Sequence, residues 1–245
     1  MKKFIYVIAA LCAAVSLNAQ SLTIIHFNDT HSHIDPLRSG EFKGRGGVIE
    51  QAAYVDSVRN AEGKKNVLLL NAGDFSQGTS YFPEMGGNIE VDVFNAMDYD
   101  AVAIGNHEFD NGVEELARRV RNIKAPVLCA NYDFTGTALE GLVDPYVILK
   151  KAGRKIGIIG LLPDVSNVVS VDLIRGLQYQ DPVGVVNDYA RYLHDEKKCD
   201  LVICLSHLGF RKDKYLASQV RNVDLIVGGH SHTHLEEIVL VEDLD

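Results

Sequence analysis

The chain reads as short apolar runs set between polar, glycine-bearing turns and segments whose apolar residues recur every three or four positions. The runs are Leu22–Phe27, Val67–Leu70, Ala101–Ile104, Ala125–Cys129, Lys155–Leu161, Leu201–Leu205 and Leu225–Val227. Their continuous apolarity suits strands covered on both faces. Helical spacing links Val48, Ala52 and Val55, then Leu116, Val120 and Ile123, then Val185, Tyr189 and Tyr192. Asp181 as cap and Pro182 at the first helical position open the last of these. Tyr146–Lys150 and Lys155–Gly160 read as the arms of a hairpin turning near Gly153. Strands alternating with helices predict an α/β domain with a largely parallel sheet. No linker, charge block, low-complexity stretch or internal repeat divides it.

The first residues carry a different pattern. Lys2 and Lys3 precede an apolar run from Phe4 to Val15, and small and polar residues end at Asn18-Ala19-Gln20. This is the layout of a secretory signal. The expectation is a signal over 1–19, cleavage after Ala19, a domain over 20–245, and a periplasmic or secreted protein. An N-terminal anchor or core helix is the alternative. No later run approaches the roughly 20 residues of a membrane span, so no stable membrane insertion is expected after cleavage.

Composition narrows the classes further. With 47% hydrophobic and 23% charged residues, disordered, collagen-like and coiled-coil classes are excluded. The net charge of -9, which becomes -11 without Lys2 and Lys3, argues against a nucleic-acid polymer as partner. An anionic ligand would need a local source of positive charge. Cys129, Cys199 and Cys204 lie beyond the signal, odd in number and without a CxxC. Three buried thiols are expected, although export would permit one disulfide.

The chemistry lies in the loops that leave the strands. Leu22–Phe27 runs into Asn28-Asp29-Thr30-His31, and Val67–Leu70 into Asn71-Ala72-Gly73-Asp74. Ala101–Ile104 runs into Gly105-Asn106-His107-Glu108-Phe109-Asp110, Leu201–Leu205 into Ser206-His207, and Leu225–Val227 into Gly228-Gly229-His230-Ser231-His232. In open α/β sheets the carboxyl ends of strands form the ligand edge, where such loops can converge. Carboxylate, carboxamide and imidazole without thiolate suit zinc, manganese, cobalt or iron. The set outnumbers the four positions of one tetrahedral ion, so two divalent metal ions sharing a bridging carboxylate are expected, an arrangement that acts on phosphate esters. Two dications against Asp29 and Asp74 leave the site locally positive, which answers the requirement raised by the overall charge.

Asp29-x-His31, Gly73-Asp74-x-x-Gln77-Gly78, Gly105-Asn106-His107-Glu108-Phe109-Asp110, Ser206-His207 and Gly228-Gly229-His230-Ser231-His232 together resemble the calcineurin-like metallophosphoesterases over about residues 22–240. The Asn28-Asp29 start, the Gln77-Gly78 pair and the His-Glu-Phe-Asp run resemble the 5'-nucleotidase branch. The resemblance implies a four-layer αββα sandwich. Asp29, His31, Asp74 and His232 would hold one ion. Asp74, Asn106, His207 and His230 would hold the other, with Asp74 bridging. His107 would be the catalytic histidine, oriented by Asp110, and a hydroxide between the ions would attack phosphorus in line. The implied activity is hydrolysis of nucleoside 5'-monophosphates. The alternatives are a related esterase on cyclic nucleotides or nucleotide-sugar diphosphates, and a non-enzymatic metal-binding half of a split protein.

Taken singly, these residues are ambiguous. Asp74 and Asp110 each suit a helix cap as well as a site role, and His207 alone reads as a strand-end histidine. His230 and His232 beside paired glycines have little packing purpose. His33 and His234 suit either a substrate entrance or the surface, Arg45 a phosphate contact or a solvated loop, and Asn131-Tyr132 the border of the site. His26 reads as structural and His194 as exposed. The 5'-nucleotidases carry a C-terminal nucleotide-recognition domain, and this chain stops at Asp245, where Glu242–Asp245 reads as the start of a hairpin turn. A catalytic domain lacking its last strands is therefore expected, with a separately encoded specificity domain as its candidate partner.

Overall fold

The computed structural model describes residues 21–241; the expected signal over 1–19 and the expected turn at Glu242–Asp245 fall outside the described residues. In chain order the strands are β1 (Thr23–Phe27), β2 (Val67–Asn71), β3 (Ala101–Ala103), β4 (Val127–Leu128), β5 (Tyr132–Asp133), β6 (Tyr146–Lys151), β7 (Arg154–Leu161), β8 (Gln178–Tyr179), β9 (Leu201–Ser206) and β10 (Leu225–Gly228). The helices are α1 (Val48–Glu62), α2 (Tyr81–Met85), α3 (Asn88–Met97), α4 (Gly112–Val120), α5 (Pro182–Arg191) and α6 (Phe210–Ala217).

Two four-stranded sheets result. One is ordered β1-β2-β3-β4 and is parallel throughout. The other is ordered β10-β9-β7-β6, parallel except where β6 pairs antiparallel with β7 in the expected hairpin, Lys151 opposite Arg154. Strands β5 and β8 form a small antiparallel pair.

The period of two along each strand explains the layering. Leu68 and Leu70 of β2 meet Ile156 and Ile158 of β7 and Ile203 and Leu205 of β9 between the sheets. The alternate residues Val67 and Leu69 face α1, α3 and α4, whereas Ile159, Leu161, Val202 and Cys204 face α5 and α6. The central strands β2, β7 and β9 are thus apolar on both faces, and the fold is the αββα sandwich the resemblance implied. Each leucine sealed between the sheets stabilises it by about 1.5–3 kcal/mol through apolar burial.

Helix α5 starts as its sequence indicates, with the Asp181 carboxylate accepting from Gly184 N and Pro182 in the first turn. Its most buried face is shifted by one residue from the expected one: Val186, Ala190 and Leu193 are sealed, while Val185 and Tyr189 flank them. The three cysteines are buried and unpaired, as expected. His26 lies on edge strand β1, exposed at its surface. Among the described residues, no helix is long and apolar enough to cross a membrane.

Candidate metal centre

Parallel strands place the carboxyl ends of β1, β2, β3, β9 and β10 along one edge, and hydrogen bonds tie the loops beyond them together. Asp29 N donates to Gly73 O, His31 N to Asp74 O and Ser32 N to Phe75 O, each at 3.0–3.1 Å. The two sheets are bridged as well: His230 N reaches Asp29 Oδ1 at 2.9 Å, and His207 Nδ1 reaches Ala72 O at 2.6 Å. Gly73 and Gly105 make this closeness feasible. A Cβ on Gly73 would lie 2.7 Å from Gly105 N, and one on Gly105 would overlap Asp74.

The side chains converge as expected from their positions after strands. Asp29, His31 and His232 place ligand atoms within 4.8 Å of one another, as do Asp74, His207 and His230. Asp74 is buried, with Oδ1 accepting from His107 N at 2.9 Å and Oδ2 lying 2.9 Å from His207 Nε2. His31 Nε2 and His232 Nε2 face each other at 3.1 Å. The backbone is strained at the same points: Asp29, His31, Asp74, His230 and His232 all have φ between 45° and 75°. Left-handed backbone at non-glycine residues is uncommon and clusters where geometry serves a site.

Two buried atoms without hydrogen-bond partners test whether these residues fit a metal: Asn106 Oδ1 and His207 Nε2. Orphaned buried acceptors are costly. A cation between them would satisfy both. His207 donates through Nδ1 to the Ala72 carbonyl, which aims Nε2 at Asp74 Oδ2 2.9 Å away; burial would lower the His207 pKa, but Asp74 raises it, and a dication shared by the two groups would take the place of that proton. Burial holds the imidazoles of His31 and His230 below the usual histidine range and keeps them neutral, again as ligands require. Burial would raise the Asp74 carboxyl, but His207 and the His107 amide outweigh it and hold it low. The donor set fits divalent cations.

His107 stands beside this cluster, its ring centroid 5.2 Å from that of His31. Its Nδ1 lies 2.8 Å from Asp110 Oδ2, both side chains about one-third exposed. Burial alone would lower the His107 pKa, but the Asp110 hydrogen bond and the Asp74 and Asp110 charges raise it overall. The capping alternative for Asp110 is settled by geometry: Asn111 is the N-cap of α4, and the Asp110 carboxylate faces His107. Asp74 is followed by an irregular loop and caps no helix.

Comparison with known proteins gives the same answer from the whole chain. The calcineurin-like phosphoesterase profile matches residues 22–234. The chain belongs to this family. The phosphoesterase is 38% identical to the 5'-nucleotidase of Homo sapiens over 89% of this chain and 39% of that protein. Its fold superposes on the crystal structure of a 5'-nucleotidase precursor from Thermus thermophilus with a TM-score of 0.80, at 36% identity, over 89% of this chain and 43% of that one. It also matches the NAD nucleotidase of Haemophilus influenzae, with a TM-score of 0.75 and 32% identity over 86% of this chain and 38% of that one. The phosphoesterase therefore spans about two-fifths of the length of the curated relatives it matches.

The remaining polar residues left open by the sequence have these surroundings. Asn131 is fully buried, its amide bonded to the backbone of Leu162, and Tyr132 donates to Pro163 O, so this pair supports the fold rather than bordering the centre. His33, Arg45 and His234 are exposed, and the His33 ring folds back on the Thr30 and His31 carbonyls. Sequence reasoning assigned no role to Asn28, which donates to Asp29 Oδ2 at 2.6 Å, or to Glu108, which is fully buried behind Asp74. The position of Glu108 inside the His-Glu-Phe-Asp run was its only signal.

Proposed function

We propose that this phosphoesterase is an exported two-metal phosphomonoesterase that hydrolyses nucleoside 5'-monophosphates to nucleoside and phosphate. The observation that carries the reading is the meeting of the unpartnered Asn106 Oδ1 and the His207–Asp74 contact with the His107–Asp110 pair at one sheet edge. A purely structural metal site needs no oriented histidine beside it. Asp29, His31, His232 and Asp74 would hold one dication, and Asp74, Asn106, His207 and His230 the other. Such a pair supplies Lewis-acid charge for the phosphate and a nucleophile at neutral pH.

The chain's own groups do the rest. Asp110 fixes the His107 Nδ1 proton, so Nε2 faces the site and serves the leaving-group oxygen as proton donor or hydrogen-bond donor. The raised His107 pKa favours the protonated form that this role needs. Asp74, locked from both sides by His107 N and His207, holds its carboxylate in one orientation. The 5'-nucleotidases among the relatives support a nucleotide as substrate, and the layout of residues 1–19 supports export.

The test is a hydrolysis panel of p-nitrophenyl phosphate, AMP, cyclic AMP and UDP-glucose, with and without added Zn²⁺, Mn²⁺ or Co²⁺. AMP should be preferred, and both His107→Ala and Asp74→Asn should remove most of the rate. Full activity in both variants would overturn the mechanism. Preference for cyclic AMP or UDP-glucose would overturn the substrate assignment alone.

A further inference from the structure

Behind the centre lies a group that touches no candidate ligand atom. Glu108 sits in a single 3-10 turn, His107–Phe109, and has no exposed surface. Its Oε2 accepts from Asp74 N at 2.9 Å and from Gly105 N at 2.6 Å, and its Oε1 accepts from Ser76 N at 2.9 Å. Three donors from two loops thus close on one carboxylate. One of these loops carries Asp74, and the other carries Asn106 and His107.

The geometry around the clamp is demanding. Asp74 has φ 51° and Gly73 φ 89°, so the β2 loop turns through left-handed backbone at the residue that must bridge. Arg119, also buried, donates from Nη2 to Glu108 O at 2.6 Å and from Nη1 to Ser76 Oγ, closing the assembly from behind. Ser76 is itself sealed, as are Ser32 and Glu90, whose side chains hydrogen-bond to each other. The three amides belong to buried residues, and Glu108 is the acceptor for each of them.

We infer that Glu108 is a positioning residue: its carboxylate clamps the Asp74 and Asn106 loops at the separation needed to hold a dication between them. The inference rests on the two-metal reading. The Asp74–Asn106–His207–His230 position should depend on Glu108 more than the Asp29–His31–His232 position, because both clamped loops contribute to the former and only Asp74 to the latter. Glutamine preserves the volume of Glu108 but brings an N–H₂ group against at least one of the three N–H donors. Partners that orient metal ligands typically change affinity by about 10–100-fold when lost.

The experiment titrates Co²⁺ into the metal-stripped protein and follows the visible d–d absorption, with chelator competition for Zn²⁺ and thermal unfolding in parallel. Wild type should bind two ions. Glu108→Gln should bind one of the two ions about 10–100-fold less tightly and the other with little change, with an altered absorption band, and excess metal should restore much of the rate. Val186→Ala, in the distant α5 layer, controls for stability: it should lower Tm and leave both affinities unchanged. If Glu108→Gln does not fold, Glu108→Asp carries the same comparison, because it keeps an acceptor-only carboxylate one methylene short. Wild-type affinities and spectrum in the Glu108 variant would overturn the inference while leaving the two-metal reading intact. So would metal loss in Val186→Ala in proportion to its Tm. Absence of dication binding by wild type would overturn both.

Discussion

Replacing Asp213 with asparagine should stabilise the metal-free protein at neutral pH and do progressively less as pH falls. Asp213 lies on α6, 8% exposed, with Oδ1 accepting from Ser206 Oγ at 2.6 Å. Ser206 Oγ in turn accepts from Leu208 N, which places the Asp213 carboxyl beneath the loop that carries His207. Burial pushes its pKa from 3.8 to about 6, partly opposed by Ser206 and His207. The folded protein therefore holds this proton more tightly than the unfolded chain. The stability this contributes is complete below pH 3.8 and is lost as pH rises through about 6. A displacement of that size corresponds to about 3 kcal/mol lost by pH 7.5, and about half of that by pH 5. Asparagine keeps the acceptor for Ser206 and carries no charge to desolvate. Urea unfolding of wild type and Asp213→Asn in excess chelator, at pH 5 and 7.5, reads the difference directly. The variant's advantage should grow by roughly 1–2 kcal/mol between the two pH values. An advantage that stays constant across them would refute the account, since only a titrating carboxylate makes the gap depend on pH. Saturating the centre with dications should narrow the gap, because nearby positive charge favours the ionised form.

Two further outcomes are expected from the loop contacts. Gly105→Ala leaves every candidate ligand in place but drives a Cβ into Asp74, so helical content by circular dichroism should persist while retention of Zn²⁺ against a chelator falls at least about 10-fold and stability drops by about 1–3 kcal/mol; undiminished metal retention would count against the close loop contact. Asp110→Asn removes the charge that raises the His107 pKa against its burial and leaves only a weaker, uncharged hydrogen bond to Nδ1, so kcat should fall about 10-fold or more with KM little changed, and the alkaline limb of the pH–rate profile should move to lower pH. An unmoved limb would detach that titration from His107.

The layers of the fold were largely legible before any coordinates. Leu68–Leu70, Ile156–Ile159 and Val202–Leu205 are apolar at consecutive positions because both sides of each strand are covered, and that requires helices outside two stacked sheets. Asp181-Pro182 marked the start of α5 because its signal is local: a cap oxygen and a fixed φ act within one turn. Helices α3 and α6 escaped notice. Neither has a side-chain cap, and each follows a glycine that reads equally well as a turn. The two-residue pair β5–β8 was unreadable because its partners are distant in sequence and too short to show a period. The buried face of α5 was displaced by one residue, since Tyr189 and Tyr192 are apolar enough to mimic a core stripe while lying at its margin.

Which residues are candidates to hold a metal was written in the chain itself, because aspartate, asparagine and histidine recur where apolar runs end and such ends share one edge of a parallel sheet. How those residues stand to one another was decided only by folding. The left-handed backbone at Asp74 and His230, the aim of His207 Nε2 at Asp74 and the three amides gathered by Glu108 all depend on contacts between loops far apart in sequence. Residue type limits what a side chain can bind; the direction of its lone pairs and the cost of burying them exist only once distant segments have packed.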